Sequence, residues 1–242
     1  MTARIAIFSD VHADVHAVRD ALEQIERAGC DVIVCAGDLI DYGLFPEETI
    51  DLLDRRKVPC IRGNHDRWAV ARDRGETHDT SGWDLSPRAV GFLGRLPTSW
   101  SAKLEGVRVV VHHASPRSDM EGIRPEEATI EDARRWLSDA KSDVLLVGHT
   151  HRAFAMEVFG GGLIANPGAL LRDPANPQEH RERFDDQEMG AIAPIATAGG
   201  GTFGILELPA KRFTVHRAAD GSEVEIPRSM IGVRDIAGTR DI

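Results

Sequence analysis

Short apolar runs that each end in polar residues set the rhythm of this chain. Residues 4–9 (RIAIFS) end at Asp10, "DVIVCAGD" ends at Asp38, and "VPCIRGNHD" ends in the trio Asn64, His65 and Asp66. Between these runs the apolar spacing becomes helical. Val15, Val18, Leu22 and Ile25 fall on one face, and Gly29 stands where a helix would stop. "PEETIDLLDRR" places Pro46 at a first helical position with acids behind it, both signals of a helix start. The order is βαβαβ, which predicts a parallel sheet covered by helices.

The middle of the chain is less regular. "SPRAVGFLGRL" reads as a helix capped by Ser86, and "SWSAKLEGVRVVVHH" as two strands around a Glu105-Gly106 turn, the second running into His112. A further helix, "PEEATIEDARRWLSDA", precedes "DVLLVGHTH", where an apolar run meets His149 and His151. From Arg152 onward the pattern is β: "RAFAMEVF", "LIANPG", "TFGILELP" and "RFTVHR". A polar segment at about 173–201 interrupts it and reads as a loop or insertion, and the tail from about 218 has no clear period. No repeat or linker divides the chain, so the expectation is one domain over 1–242 containing two sheets.

Composition narrows the function classes. The 242 residues are 42% hydrophobic, enough for a packed core, and carry a formal charge of −10. That balance disfavours a protein that tracks long nucleic acid, because affinity there comes from clustered Lys and Arg. A small phosphorylated substrate stays compatible if a bound cation supplies the positive charge. Cys30, Cys35 and Cys60 lie in apolar segments without a CxxC pair, which reads as reduced thiols in a cytoplasmic protein. The apolar start is too short for a signal peptide, and no run is long enough for a membrane span. A homo-oligomer is compatible with the sequence.

The informative feature is the position of the polar residues. Asp10 and His12, Asp38, Asn64 and His65, His112, and His149 and His151 all stand at or just past the C-terminal end of a predicted strand. In α/β sheets that edge is where ligands bind. "GHTH" sets two imidazoles at i and i+2, which project the same way on an extended segment. Five polar strand ends along one chain point to a shared centre.

The series D-x-H, GD, GNHD, a His after a strand, then GHTH resembles the calcineurin-like metallophosphoesterases, from Asp10 to His151. "NPG" at Asn166–Gly168 extends the likeness to their small bacterial and archaeal phosphodiesterase branch. The resemblance implies an α/β (α+β, four-layer) fold: a two-sheet β-sandwich flanked by helices, with a dimetal site at one edge. Asp10, His12 and His151 would hold the first metal, Asp38 would bridge, and Asn64, His112 and His149 would hold the second. His, Asp and Asn ligands suit Mn foremost, or Fe, Zn or Ni, better than Mg or Ca. The implied reaction is hydrolysis of a small phosphorylated molecule by metal-activated hydroxide, with His65 as the general acid. Asp66 either orients His65 or caps the helix begun by "DRWAVARD". Gly63 would allow the tight turn that brings Asn64 to the centre. His113 is expected to point away, in a structural role. Arg62 reads as solvated or as a phosphate contact, and His16, His78, His180 and His216 as ordinary histidines.

Three departures narrow the branch. "GDLIDYG" has Tyr42 where protein serine/threonine phosphatases carry the Arg that grips phosphate, His65 stands where many of the small phosphodiesterases have Cys, and "NPGALL" replaces NPGS. The expected activity is therefore that of a phosphodiesterase. The alternatives are a phosphomonoesterase or dinucleoside polyphosphate hydrolase and, in another class, a non-catalytic metal-binding scaffold.

Overall fold

A computed structural model of the chain describes residues 2–76, 84–172 and 201–232. The βαβ start forms as the pattern predicts. Strands β1 (Ala3–Phe8) and β2 (Val32–Cys35) pair in parallel through helix α1 (Val15–Ala28). The Asp14 carboxylate accepts the Ala17 N–H at the head of α1, and Gly29 ends it at φ 64°, a conformation that suits glycine. Helix α2 (Pro46–Arg55) starts at its proline with Glu47 and Glu48 in the first turn. Helices α3 (Asn64–Asp73) and α4 (Pro87–Leu93) follow.

Next come β3 (Ser99–Leu104), β4 (Val107–His112), helix α5 (Ile130–Ala140), β5 (Val144–Leu146), β6 (Phe154–Val158) and β7 (Gly162–Asn166). The last described part holds β8 (Thr202–Leu208), β9 (Arg212–Arg217), β10 (Glu223–Val224) and β11 (Arg228–Ile231). One mixed sheet has the order β10-β9-β8-β1-β2 and the other β11-β6-β7-β5-β4-β3.

The layers follow from which side chains are buried together. Ile5, Ile7, Val34, Ala36, Val109, Val111, Val144, Leu146, Leu206 and Phe213 fill the space between the sheets. A second core joins the first sheet to its helices through Phe8, Val18, Leu22, Ile25, Leu53, Ala69 and Leu93. A third packs Ala133 and Trp136 of α5 against Leu145, Met156 and Ile164. Each large apolar side chain withdrawn from water contributes about 1.5–3 kcal/mol. Helix, sheet, sheet and helix therefore stack as a sandwich with flanking helices, the arrangement the family resemblance implies.

The local differences have local causes. Residues 58–61, read as a third strand, make only a single bridge, Cys35 to Cys60. Pro59 has no N–H to donate, and the Arg62 N–H turns away to the Pro97 carbonyl, so the ladder cannot extend. Helix α5 begins at Ile130 rather than near Pro125, because Thr129 and Asp132 close a reciprocal cap there. The tail contains β10 and β11, too short to show a period in sequence. The insertion at about 173–201 falls, but for Gly201, outside the described residues, as do His78 and His180. Among the described residues no helix is long and apolar enough to cross a membrane.

Candidate metal centre

The ends of β1, β2, β4 and β5 and the start of α3 converge at one edge of the sandwich. The backbone turns sharply as each strand ends: Asp10, His12, Asp38, His149 and His151 all have φ between 47° and 65°. Left-handed backbone costs a non-glycine residue about 1–2 kcal/mol, so the surroundings must hold it. They do so by cross-linking the loops. Asp10 N–H donates to Gly37 O (3.0 Å), His12 N–H to Asp38 O (2.9 Å), Ala13 N–H to Leu39 O (2.9 Å) and Leu171 N–H to Asp10 O (3.1 Å). Strain concentrated on ligand-type side chains and locked from several sides is the signature of a functional site.

Two groups of donor atoms result: Asp10, His12, Asp38 and His151, and Asp38, His113 and His149, the atoms of each lying within 4.8 Å of one another. Asp38 belongs to both. In the first group His12 Nε2 is 3.1 Å from His151 Nε2 and 4.0 Å from Asp38 Oδ2, and His151 Nε2 is 3.4 Å from Asp10 Oδ1. In the second, Asn64 Oδ1 is 2.9 Å from His113 Nε2 and 3.0 Å from His149 Nδ1, and His113 Nε2 is 3.2 Å from Asp38 Oδ2. His12 and His113 each aim Nδ1 at a backbone carbonyl, Ile40 O at 3.0 Å and Ala36 O at 2.8 Å. Donation there leaves the Nε2 lone pair facing the centre, as a ligating imidazole requires.

The electrostatics agree. Asp10 and Asp38 are fully buried, which alone would favour the neutral acids, yet the histidines hold both below the usual carboxylate range. His113 is pushed up to about 10 against its burial, chiefly by the Asp38 charge. His12 is driven down to about 3 by burial and by His151 and His65. A pocket of buried carboxylates that makes a histidine retain its proton is one that calls for positive charge. The mixed N and O donor set fits two divalent ions bridged by Asp38.

Placement corrects three expectations. His113, not His112, enters the cluster. Val107, Val109 and Val111 of β4 all face the space between the sheets, and His113 continues that parity. His112 ends the ladder opposite Ser99 and stays half-buried on the other side, where burial lowers its pKa. The face assignment was open to sequence reasoning: on β2, Val34 and Ala36 lead to Asp38 with the same parity.

Asp66 does not touch the His65 ring. Its Oδ2 accepts the N–H groups of Gly63 (2.9 Å) and Asp38 (3.0 Å), and its Oδ1 accepts that of Leu39 (2.9 Å). It caps α3 and ties the helix to the Asp38 loop, and burial together with the Asp38 charge raises its pKa to about 7. The orienter of His65 is Asp41, whose Oδ2 lies 2.8 Å from Nδ1. The signal for it was present in "GDLIDYG", where Asp41 follows the bridging position by three residues. Gly63 also has a different reason from the one expected. Its φ of −90° is open to any residue, but a Cβ there would sit 2.0 Å from Asp38 Oδ1. Close approach, not a turn, requires the glycine.

His65 stands beside the two donor groups and belongs to neither. The Tyr42 hydroxyl is 3.4 Å from His65 Nε2, and Trp68 packs edge-on against the ring. Burial works against a proton on His65, but the charges of Asp38 and Asp41 raise its pKa above the ordinary value. The Asp41→Asn variant should reverse part of this. The proton is held less tightly once the carboxylate charge is gone, so the alkaline limb of the kcat/KM pH profile should move to lower pH by about one unit or more. An unshifted limb would separate Asp41 from the proton. Asn166 holds the "GHTH" loop, donating from Nδ2 to Gly148 O (2.7 Å) and accepting the Gly168 N–H on Oδ1 (2.8 Å). His16 and His216 pack against Phe45 and Phe203, away from the cluster.

Comparison with known proteins bears on the same residues. Residues 3–185 match the calcineurin-like phosphoesterase superfamily domain. The uncharacterized protein MJ0912 of Methanocaldococcus jannaschii is 26% identical over 179 residues, 70% of each chain. The crystal structure of a metallophosphoesterase from Sphaerobacter thermophilus superposes with a TM-score of 0.59 at 24% identity, covering 93% of this chain and 89% of that one. Protein PH1004 from Pyrococcus horikoshii gives 0.65 at 14% identity, with 93% and 88% covered.

Proposed function

Since the chain belongs to the calcineurin-like phosphoesterase superfamily, we propose that this phosphoesterase is a manganese-dependent phosphodiesterase acting on a small phosphorylated molecule. The observation that carries the reading is the pair of donor groups sharing Asp38, set beside a histidine that belongs to neither. Asp10, His12 and His151 would hold one ion, Asn64, His113 and His149 the other, with Asp38 common to both. Bound there, the ions would supply Lewis acidity and a water of lowered pKa.

The protein's own groups do the rest. The Asp38 Oδ1 accepts the His65 N–H at 3.0 Å, so the carboxylate that joins the two groups also fixes the start of α3. His65, held by Asp41 through Nδ1, presents Nε2 for donation to the leaving alcohol. The charges of Asp38 and Asp41, which raise its pKa, help it to hold that proton. Tyr42, standing where protein phosphatases carry arginine, brings a hydroxyl rather than a charge. That favours the singly charged phosphorus centre of a diester over the dianion of a monoester, which gains most from a guanidinium.

The test is turnover of bis-p-nitrophenyl phosphate and p-nitrophenyl phosphate after chelation and reloading with Mn²⁺. Faster metal-dependent turnover of the diester is expected. A preference for the monoester would overturn the diesterase reading, and no metal-dependent turnover of either would overturn the function.

A further inference from the structure

Beside the metal cluster lies a second concavity, of about 400 Å³, which shares His113 as a wall. Its lining includes three arginines, Arg62, Arg67 and Arg117, together with His112, against a single carboxylate, Asp119. A cationic hollow is unexpected on a chain whose formal charge is −10. Nor are the three arginines equivalent. Arg67 donates from Nε and Nη2 to the two oxygens of Asp119, at 2.6 and 3.0 Å, which uses that carboxylate on both sides. Arg117 pairs with Asp139, which lies outside the lining. The Arg62 side chain is half-buried and makes no hydrogen bond or ion pair among the described residues. Its backbone is fixed on both sides, by its N–H on Pro97 O and by Gly63, which packs against Asp38.

Resting on the phosphoesterase reading above, we infer that this hollow is a substrate subsite for a second phosphate, so that the natural substrate carries another phosphate group besides the one that reacts. A planar guanidinium with five donors and no hydrogen-bond acceptor among the described residues, its charge felt only at a distance by Asp119, is matched to a phosphate oxyanion. Walls on which positive side chains outnumber the one carboxylate strengthen that attraction. The volume lies within the range of ligand sites and exceeds what a single oxyanion fills, leaving room for the part of the molecule that joins the two phosphates. Because His113 borders both, the hollow and the metal cluster are neighbours, and a substrate that engages both would be short. Arg67, immobilised by Asp119, shapes the hollow, and Arg62 makes the contact.

The experiment is equilibrium binding by calorimetry to the Mn²⁺-loaded protein, with probes that cannot be hydrolysed: ethane-, propane- and butane-bisphosphonate against propylphosphonate. At least one bisphosphonate should bind about tenfold or more tighter than the monophosphonate, the scale of a charge-assisted hydrogen bond. Arg62→Ala and Arg62→Gln should each bring that ratio towards one, with their metal content showing an intact centre. Equal affinities in the wild-type protein, or a ratio that either folded variant leaves unchanged, would overturn the subsite. Failure of the functional reading is distinguishable, since it would appear as absent turnover of the p-nitrophenyl esters while the Arg62-dependent ratio persists.

Discussion

Asp38→Asn should remove both metal ions together and lower kcat by about a thousandfold or more, the loss expected when a principal electrostatic stabiliser is removed. The substitution is nearly isosteric, so shape is not what changes. What changes is that one buried negative charge, common to both donor groups, disappears. Asp38 Oδ2 is 3.2 Å from His113 Nε2 and 4.0 Å from His12 Nε2, which places one oxygen between the two halves. Without it, the second half keeps only neutral ligands, and the first keeps the Asp10 carboxylate without the shared charge that draws two ions together. The loop itself should survive, because Asp66 accepts the Asp38 N–H and the neighbouring Gly37 carbonyl accepts the Asp10 N–H. Metal content by mass spectrometry, turnover of bis-p-nitrophenyl phosphate and circular dichroism measure the three consequences. Retention of two ions per chain would sink the assignment of Asp38 as the bridge. Loss of one ion only would show that the halves are independent.

The second large effect separates adjacent histidines. His113→Ala should lose the ion of the second group and cut turnover by about two to three orders of magnitude. His112→Ala should leave the metal content at wild-type level. The reasoning is geometric. His113 is buried, reaches Asn64 and Asp38 through Nε2, and is oriented by the Ala36 carbonyl through Nδ1. His112 is half-buried and lines the arginine hollow instead. Removing His113 also leaves Asp38 without the partner that most lowers its pKa, so metal binding by the variant should weaken more steeply as pH falls. Equal metal loss in both variants would overturn the placement.

Much of the centre could be read from the chain because its residues follow apolar runs whose ends are visible in sequence. Asp10, His12, Asp38, Asn64, His149 and His151 are all gathered by the fold at the edge where strand ends meet. The misplacements arose where a choice depended on direction, not on position. His112 and His113 are equally polar and equally terminal, and only the parity of the valines before them decides which one turns inward. Asp66 and Asp41 pose the same difficulty. Adjacency in sequence favoured Asp66, but in the first turn of α3 its carboxylate points back at free backbone N–H groups. The pairing of His65 with Asp41 spans 24 residues and needs the β2 loop folded over α3.

The sequence by itself determined the βαβ start, the two sheets and the strand ends that carry the polar residues, while the resemblance of its motifs implied the layered sandwich and set His65 apart from the ligand positions. It could do so because burial periodicity and turn chemistry are local properties, written within a few residues of where they act. The tertiary structure alone decided that Asp41 holds the His65 ring and that Gly63 is a glycine because of Asp38. It alone also placed three arginines around one hollow beside the centre. Each of those facts is a distance between groups remote along the chain or a direction in space, and neither exists until the two sheets close on each other.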